Sequence, residues 1–314
     1  MTVADAIAAF APDPPPVLPL GIAFSGGADS TALLVAAVQR WPGQVVALHV
    51  HHGIQAAADG FVTHCTAVCA ALNVPLQVAH VDGRPTPGDS PEDAARKARY
   101  TALADRARQL GVHDVLLGQH ADDQIETLLL ALSRGAGLPG MAAMPARFER
   151  HGATFHRPLL GVSAAEIRNG LAEQGVAFIT DPSNADTAFT RNRIRRTLLP
   201  ALEAAFPQFR ATFARSIRHV AQAQELLQSL AEDDLAQVGD PPAIKALQHL
   251  PRARQANVVR YWLKSRFGSM PSAAQLDELL DQVGACTTRG HALRIKVGTG
   301  FAERRGAHLA WYNP

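Results

Sequence analysis

The sequence predicts an α/β fold in which helices cover both faces of a parallel sheet, followed by a smaller, mainly helical region. The first observation is that short apolar runs alternate with amphipathic stretches from residue 18 onwards, a pattern typical of strands separated by helices. The second is that this alternation stops after Pro200. With 314 residues, 47% of them hydrophobic, the chain is long enough for a large core in one or two domains.

Four strands and three helices are predicted in the sheet region. The strings LPLGIAF, QVVALHV, PLQVAHV and DVLLGQH predict strands that begin near residues 18, 44, 75 and 114. The helices between them run through Leu34, from near Phe61 to Leu72, and from Pro91 to Leu110. The third helix has a marked start, because Ser90 suits the N-cap position and Pro91 the first helical position.

A second domain is predicted from the change of pattern near residues 205 to 220. The string FRATFARSIRHVAQAQELLQSLAEDDLAQ predicts a long helix, and HALRIKVGTGFAERRGAHLAWY predicts strands joined by glycine turns. We therefore expect a first domain over residues 1–212 and a second domain over residues 213–314, the latter mainly helical with a terminal β element.

Composition and charge exclude several classes of protein. The formal net charge is only +2, and no apolar run approaches the roughly 20 residues that span a bilayer. The N-terminal stretch MTVADAIAAFAPDPPP lacks the basic residues that precede the apolar core of an export signal. We expect a cytoplasmic protein with no membrane association.

The three cysteines, Cys65, Cys69 and Cys286, include no C-x-x-C pair, which argues against a disulfide framework or a thiolate metal site. Cys65 and Cys69 are four residues apart and share one face of a predicted helix. Buried structural thiols are favoured over a redox or cluster role.

A glycine-rich loop, FSGGADS, follows the first predicted strand and begins the first predicted helix. Backbone N–H groups around Gly26 and Gly27 can converge there on an anion, helped by the helix dipole. The loop has neither the lysine of a Walker motif nor the spacing of a dinucleotide fingerprint. Asp29 would repel a polyphosphate unless a hard cation lay between them, so we predict that Asp29 binds Mg²⁺. The alternative is that Asp29 or Ser30 caps the helix.

Three acids follow the fourth predicted strand. Asp122, Asp123 and Glu126 lie at its C-terminal end, which is the ligand-binding edge of an open α/β sheet. Asp123 and Glu126 are three residues apart, so on a helix they share a face and can together bind an ammonium group. The alternative is a solvated acidic helix start.

Seven arginines and no lysine occur between residues 190 and 218, where the only acid is Glu203. They are Arg191, Arg193, Arg195, Arg196, Arg210, Arg215 and Arg218. This composition favours bidentate recognition of phosphates, of ATP or of a polynucleotide, over an ordinary solvated face. Arg252, Arg254, Arg260, Lys264 and Arg266 are weaker candidates for phosphate contacts.

Three histidines, His49, His51 and His52, lie near the end of the second predicted strand. They have no accompanying set of carboxylates, so hydrogen bonding within a loop is favoured over metal binding.

The S-G-G-x-D-S string resembles the PP-loop of the N-type ATP pyrophosphatases. Members of that group cleave ATP between its α- and β-phosphates, adenylate an oxygen of the substrate and release pyrophosphate. The resemblance implies a Rossmann-like PP-loop ATPase domain. It also implies that the loop binds ATP and its Mg²⁺ through Ser25, Gly26, Gly27, Ala28, Asp29 and Ser30.

Across residues 20 to 200 the chain is similar to the tRNA(Ile)-lysidine synthetase family. The strings that carry the resemblance are FSGGADS, HVHHGIQ, EDAARKARY, GQHADDQIETLLL, RGAGLPGM, RPLL and DPSNADTAFTRNRIR. That family attaches lysine to carbon 2 of the wobble cytidine in the isoleucine tRNA with a CAU anticodon. The resemblance implies ATP, Mg²⁺, lysine and this tRNA as ligands, with a C-terminal region that helps to hold the tRNA.

The resemblance also implies a role for each site residue. Mg²⁺ at Asp29, with Arg191 and Arg195, stabilises charge on the α-phosphate while the cytidine oxygen attacks it. Asp123 and Glu126 hold the lysine ammonium, and one of these acids or His120 removes its proton.

This chain departs from the family at two positions. Gln119 stands where some relatives carry a histidine, and Gln55 stands where an arginine is common. Glutamine keeps a hydrogen bond but cannot transfer a proton.

Three rival functions are open at this stage. A PP-loop tRNA thiolase would need a catalytic cysteine pair or an iron–sulfur cluster, for which these cysteines are badly placed. A small-molecule amidating or ligating enzyme would leave the arginine cluster without a role. A catalytically inactive tRNA-binding module would be expected to lack some of the site residues named above, yet all are present.

Overall fold

Two compact units make up the part of the chain that the structure describes. A computed structural model describes residues 1–51, 58–81, 91–181, 186–288 and 290–314. Its units are Met1–Arg218 and His219–Pro314, and their boundary falls within one long helix, Phe209–Val238.

The first unit contains a six-stranded sheet. Its strands are β1 (Leu20–Ala23), β2 (Val45–His51), β3 (Leu76–His80), β4 (Asp114–Leu116), β5 (Arg147–Arg150) and β6 (Ala153–His156). Their order is β3-β2-β1-β4-β6-β5, and all neighbours are parallel except β5, which runs antiparallel to β6. The predicted fold class is confirmed, and β1 to β4 are the four predicted strands.

Helices of the first unit precede, connect and follow these strands. They are α1 (Val3–Ala8), α2 (Ala28–Arg40), α3 (Ala58–Ala71), α4 (Pro91–Gln109), α5 (Ala121–Ser133), α6 (Leu138–Met141), α7 (Ala164–Glu173), α8 (Thr190–Arg193), α9 (Leu199–Ala205) and the start of α10 (Phe209–Val238). A π-helical turn, Ile194–Leu198, joins α8 to α9. Helix α1 has no counterpart among the predicted elements and begins with a capping box between Thr2 and Asp5.

Both faces of the sheet are buried. Successive residues of β2 point to opposite faces: Val45 and Ala47 pack in the core under α2 and α3, whereas Val46 and Leu48 pack in the core that contains Tyr100 of α4. This accounts for the continuously apolar strands that predicted a parallel sheet.

The thiols of Cys65 and Cys69 lie in the first of these cores. Both are free and buried, as expected from the sequence. Burial raises the pKa of Cys65 to about 12 and that of Cys69 to about 11, so neither is a thiolate at neutral pH.

The second unit is helical with a terminal antiparallel sheet, as predicted. After α10 come α11 (Ile244–His249), α12 (Arg252–Phe267) and α13 (Ala273–Ala285), and then β7 (Arg294–Val297), β8 (Gly300–Arg305) and β9 (His308–Tyr312). Its core includes Val258, Trp262, Leu279 and Leu309. Among the helices of the described ranges, none is long and apolar enough to cross a membrane.

Candidate active site

The candidate site lies at the C-terminal ends of β1 and β4. These two strands are neighbours at the centre of the sheet, and the chain leaves them toward opposite sides, to β2 and to the hairpin of β5 and β6. Such a switch in direction opens a crevice at the carboxyl edge of a parallel sheet. The glycine loop, residues 25–30, follows β1, and the segment from Gln119 to Glu126 follows β4.

Hydrogen bonds within the glycine loop hold its shape. Ser30 Oγ accepts a bond from the Ser25 amide at 3.1 Å and donates to the Gly27 carbonyl at 3.1 Å. The Gly26 carbonyl accepts from the Ile179 amide at 2.9 Å. Gly26 has a φ of +83°, and a Cβ there would lie 3.0 Å from Cys65 Sγ, so only glycine fits without strain.

Helix α2 is capped by Gly27, not by Asp29 or Ser30. The alternative interpretation of these two residues as caps is therefore wrong. Asp29 lies in the first turn of α2 with 43% of its side chain exposed. Its carboxylate is accessible to a ligand bound at the loop.

The turn after β4 packs closely on this helix start. A Cβ on Gly118 would lie 3.1 Å from the backbone of Asp29 and Ser30. The two loops that form the crevice are therefore in backbone contact, and the spacing between them depends on a glycine.

His120 is buried among three carboxylates. Its Nε2 lies 3.6 Å from Asp29 Oδ1 and 3.5 Å from Asp123 Oδ2, and its Nδ1 lies 3.8 Å from Asp122 Oδ2. Burial alone lowers the pKa of His120, but these carboxylates outweigh burial and raise it. His120 thus connects the glycine loop to the acids of α5.

Asp122 anchors the segment and is not a solvated acid. It accepts hydrogen bonds from the Ala164 amide at 2.8 Å and from Arg210 Nε at 2.7 Å. Burial raises its pKa, but these two donors outweigh burial and lower it. Because Asp122 and Glu126 are both buried, the interpretation of this segment as a solvated helix start is wrong.

Asp123 and Glu126 lie on one side of α5 and together bind the guanidinium of Arg195. Arg195 donates from Nη2 to Asp123 Oδ1 at 2.8 Å and to Glu126 Oε2 at 3.0 Å, and its Nε donates to Glu126 Oε1. Arg191 Nη1 lies 3.7 Å from Glu126 Oε2. Burial raises the pKa of Glu126 despite both arginines. The pair predicted to hold an ammonium group therefore already holds a cation of the chain itself.

Arg195 belongs to the π-helical turn between α8 and α9. Single π-turns inside helices are frequent at functional sites. Ile194 in the turn and Leu199 directly after it pack against Ile125 of α5 and Phe209 of α10, and this apolar cluster stabilises the turn. No pattern in the sequence predicted it.

Other arginines of the cluster have structural partners. Arg193 donates to the carbonyls of Thr187 and Ala188 at 3.0 and 2.9 Å, and Arg210 bonds to Glu203 as well as to Asp122. Of the seven arginines, Arg191, Arg195 and Arg210 lie at the acids of α5, and Arg193 holds the loop before α8. Arg215 and Arg218 are exposed on α10.

His49 has a structural role. Its Nδ1 lies 2.8 Å from the Phe24 carbonyl and 3.5 Å from Cys65 Sγ, and burial lowers its pKa. Within the described residues no group of three histidine, cysteine or acidic side chains can hold a metal ion. His52 and Gln55 lie outside the described residues.

One buried side chain beside the site, Arg157, was not predicted from the sequence. It follows β6, and its Nε donates to Gln119 Oε1 at 3.1 Å. The only signal for it was its place in the RPLL string.

The fold and this site define a PP-loop protein: residues 5–202 match the family model of the PP-loop domain. Residues 243–309 match the model of the TilS substrate binding domain. The chain belongs to the tRNA(Ile)-lysidine synthase family. It is 62% identical to the tRNA(Ile)-lysidine synthase of Polaromonas naphthalenivorans (strain CJ2), over 94% of this chain and 89% of that protein.

Other relatives agree with this placement. The tRNA(Ile)-lysidine synthase of Bordetella pertussis is 42% identical over 90% of this chain and 92% of that protein. That of Burkholderia pseudomallei is 42% identical over 88% of this chain, which spans only 58% of that longer protein. The family predicted from the sequence is confirmed, and the rival assignments are not favoured.

A solved structure supports the fold. The U34-tRNA thiolase NcsA from Methanococcus maripaludis, which has a [4Fe-4S] cluster, superposes with a TM-score of 0.56 at 14% identity, covering 65% of this chain and 71% of that one. The PP-loop domain implies that the chain uses ATP, and the family implies a tRNA substrate.

Proposed function

We propose that this protein attaches lysine to carbon 2 of the wobble cytidine in the isoleucine tRNA with a CAU anticodon. The observation that supports this most directly is the grouping of Asp29, His120, Asp123 and Glu126 at the crevice between β1 and β4. One side of this group is suited to ATP, and the other is suited to an ammonium group. Such an enzyme acts where tRNA is found, in the cytoplasm.

ATP binds at the glycine loop in this proposal. The backbone of Ser25 to Ser30, with Gly27 and Ala28 at the start of α2, receives the pyrophosphate end. Asp29 fits a Mg²⁺ ion, because its carboxylate is accessible and this ion is usually held by one or two carboxylates together with substrate phosphates. When bound, Mg²⁺ stabilises negative charge on the phosphate oxygens.

In the first step the cytidine carbonyl oxygen attacks the α-phosphate of ATP, and pyrophosphate leaves. The loop amides neutralise the leaving group, and Arg191 and Arg195 stabilise charge that grows on the α-phosphate. The product is a tRNA whose cytidine carries AMP on its oxygen.

Lysine binds with its ammonium group between Asp123 and Glu126, in place of the Arg195 guanidinium. This exchange leaves no buried charge unpaired, because Glu126 stays paired with a cation. It also releases the Arg195 guanidinium to bind phosphate. The same contacts that hold Arg195 thus provide the geometry for a lysine site.

In the second step the neutral ε-amine attacks carbon 2 of the cytidine, and AMP leaves with the former carbonyl oxygen. The amine must first lose a proton. Glu126, whose pKa burial raises, and His120, whose Nε2 lies 3.5 Å from Asp123 Oδ2, are the groups placed to receive it.

The test is incorporation of radiolabelled lysine into acid-precipitable tRNA in the presence of ATP and Mg²⁺. Mass spectrometry of the nuclease-digested product identifies the modified nucleoside. We expect base-stable label on a cytidine of the isoleucine tRNA and none on methionine tRNAs. Pyrophosphate release on addition of tRNA without lysine incorporation would show that the nucleophile is another molecule.

A further inference from the structure

Gln119 and Arg157 form a pair at the edge of the site that the steps above leave without a role. Gln119 directly precedes His120 and is partly exposed, whereas only 4% of Arg157 is exposed. The Arg157 Nε donates to Gln119 Oε1 at 3.1 Å.

Arg157 is held rigidly. Its other guanidinium nitrogens donate to the Pro145 carbonyl at 2.7 Å and to the Tyr100 hydroxyl at 3.3 Å, and its Cζ lies 4.3 Å from the centre of the Phe148 ring. In the described part of the chain no carboxylate lies within ion-pairing distance of this guanidinium. Among the residues that the structure describes, the hydrogen-bond acceptors of this buried positive charge are therefore all neutral.

This arrangement decides which way the Gln119 amide points. A guanidinium has donors and no acceptor, so the glutamine atom that faces it must be the oxygen. The amide nitrogen of Gln119 then faces away from Arg157, and within the described residues it makes no hydrogen bond. A charge-assisted bond to the oxygen also polarises the amide and strengthens its N–H donors.

The position of the amide argues against an ATP phosphate as its acceptor. Gln119 itself follows β4, beside the glycine loop, but its side chain extends to Arg157, which follows β6 on the side of β4 away from that loop. Asp123 of α5 lies close to this segment, because its Oδ2 accepts a hydrogen bond at 3.1 Å from the backbone amide of His120, the residue after Gln119. The Gln119 amide is a donor that lies beside the buried Arg157 cation and next to the proposed ammonium site. It is therefore suited to the α-carboxylate of the bound lysine.

We propose that Gln119 Nε2 donates a hydrogen bond to the α-carboxylate of the bound lysine, and that Arg157 is the positioning residue that orients this amide. This inference rests on the proposed function. It assigns the two ends of lysine to two neighbouring groups: the ammonium to Asp123 and Glu126, and the carboxylate to Gln119. A histidine in place of Gln119 can keep the same role, since one ring nitrogen accepts from Arg157 while the other donates.

The experiment compares lysine with cadaverine, which has the same side-chain amine and no carboxylate. The ratio of their kcat/KM values is independent of the concentration of folded enzyme. In Gln119→Glu, the glutamate still accepts from Arg157 but presents an anion to the substrate carboxylate. We expect the preference for lysine to fall about tenfold or more, the range for hydrogen bonds to charged groups, while the KM values for ATP and tRNA stay unchanged.

Two further variants separate positioning from folding. Gln119→His should retain most of the preference, because it restores a donor, and Arg157→Lys should lose it, because an ammonium cannot hold the amide with the same geometry. Gln109→Glu makes the same charge change at an exposed position at the end of α4 and should leave the ratio unchanged.

An unchanged ratio in Gln119→Glu, or a loss of the preference in Gln119→His, would overturn the inference. A change in the KM for tRNA instead would assign the amide to the nucleic acid and also overturn it. If Gln119→Glu has no activity with either amine, Gln119→His and Arg157→Lys decide the question. A wild-type protein that incorporates no lysine would contradict the proposed function itself, which is a separate result.

Discussion

Replacement of Arg195 by methionine tests the ion pair at the centre of the site. The change removes the guanidinium that binds Asp123 and Glu126 and keeps most of the aliphatic stem. Glu126 is 0% exposed, so its carboxylate would be left in a buried position with Arg191 as its nearest cation, 3.7 Å away. Removal of one partner from a buried pair destabilises proteins by about 3–5 kcal/mol.

We expect a value near the lower end of that range, because Arg195 is itself 39% exposed and Arg191 remains. A loss of about 3 kcal/mol lowers the urea midpoint by about 1–3 M, given slopes of about 1–3 kcal/mol per M. The measurement is equilibrium unfolding in urea at pH 7. Arg215→Met, in the same arginine cluster but at an exposed position of α10, is the matched control and should change stability by no more than about 0.5 kcal/mol.

The destabilisation should depend on pH. Burial already raises the pKa of Glu126 above the ordinary value for a glutamate, and loss of Arg195 raises it further. A carboxyl group with a raised pKa in the folded state adds to the free energy of unfolding when the pH is below its pKa in the unfolded chain. That stabilisation is lost as the pH rises through the pKa of the folded state. Arg195→Met should therefore be close to wild type in stability near pH 4 and fall below it toward pH 7.

Addition of Glu126→Gln to this variant should restore much of the stability at pH 7, because no buried charge then remains unpaired. A variant as stable as wild type at pH 7, or equally destabilised across this pH range, would refute the reasoning. So would a double variant that shows no recovery.

Three further predictions concern substrates. Asp29→Ala should abolish tRNA-dependent pyrophosphate release, because it removes the proposed Mg²⁺ ligand, while filter binding of tRNA is retained; full activity would contradict the metal role. Asp123→Asn should raise the KM for lysine far more than that for ATP, and an unchanged KM for lysine would exclude the proposed ammonium site. Gly118→Ala should impair ATP use, because its Cβ would lie 3.1 Å from the Asp29 backbone, and normal ATP kinetics in the folded variant would show that this contact is not required.

Elements with a strong local pattern could be predicted from the sequence. Strands β1 and β2 are continuous apolar runs because both faces of the sheet are covered. The hairpin of β5 and β6 was missed, because β5 has only four residues, three of them charged, with exposed and half-buried positions in alternation. Helix α1 was missed for a similar reason, since its six residues depend on a capping box and on packing against the core.

The candidate site could be located from the sequence but its charge pairing could not. The glycine loop was predicted to follow β1, and the acids were predicted to lie at the C-terminal end of β4, which is the ligand-binding edge of an open α/β sheet. That Arg195 binds Asp123 and Glu126 depends on contacts across 72 and 69 residues of chain. That Arg157 holds Gln119 depends on a contact across 38 residues.

The sequence by itself determined the class of fold, the nucleotide loop and the family, because each follows from residues close together in the chain. Only the tertiary structure decided which charges are paired, which acids are buried and which way the Gln119 amide points. The physical reason is that the energy of a charge or a hydrogen bond depends on distance and on exclusion of water. For residues far apart in the chain, both are set by packing and not by local sequence.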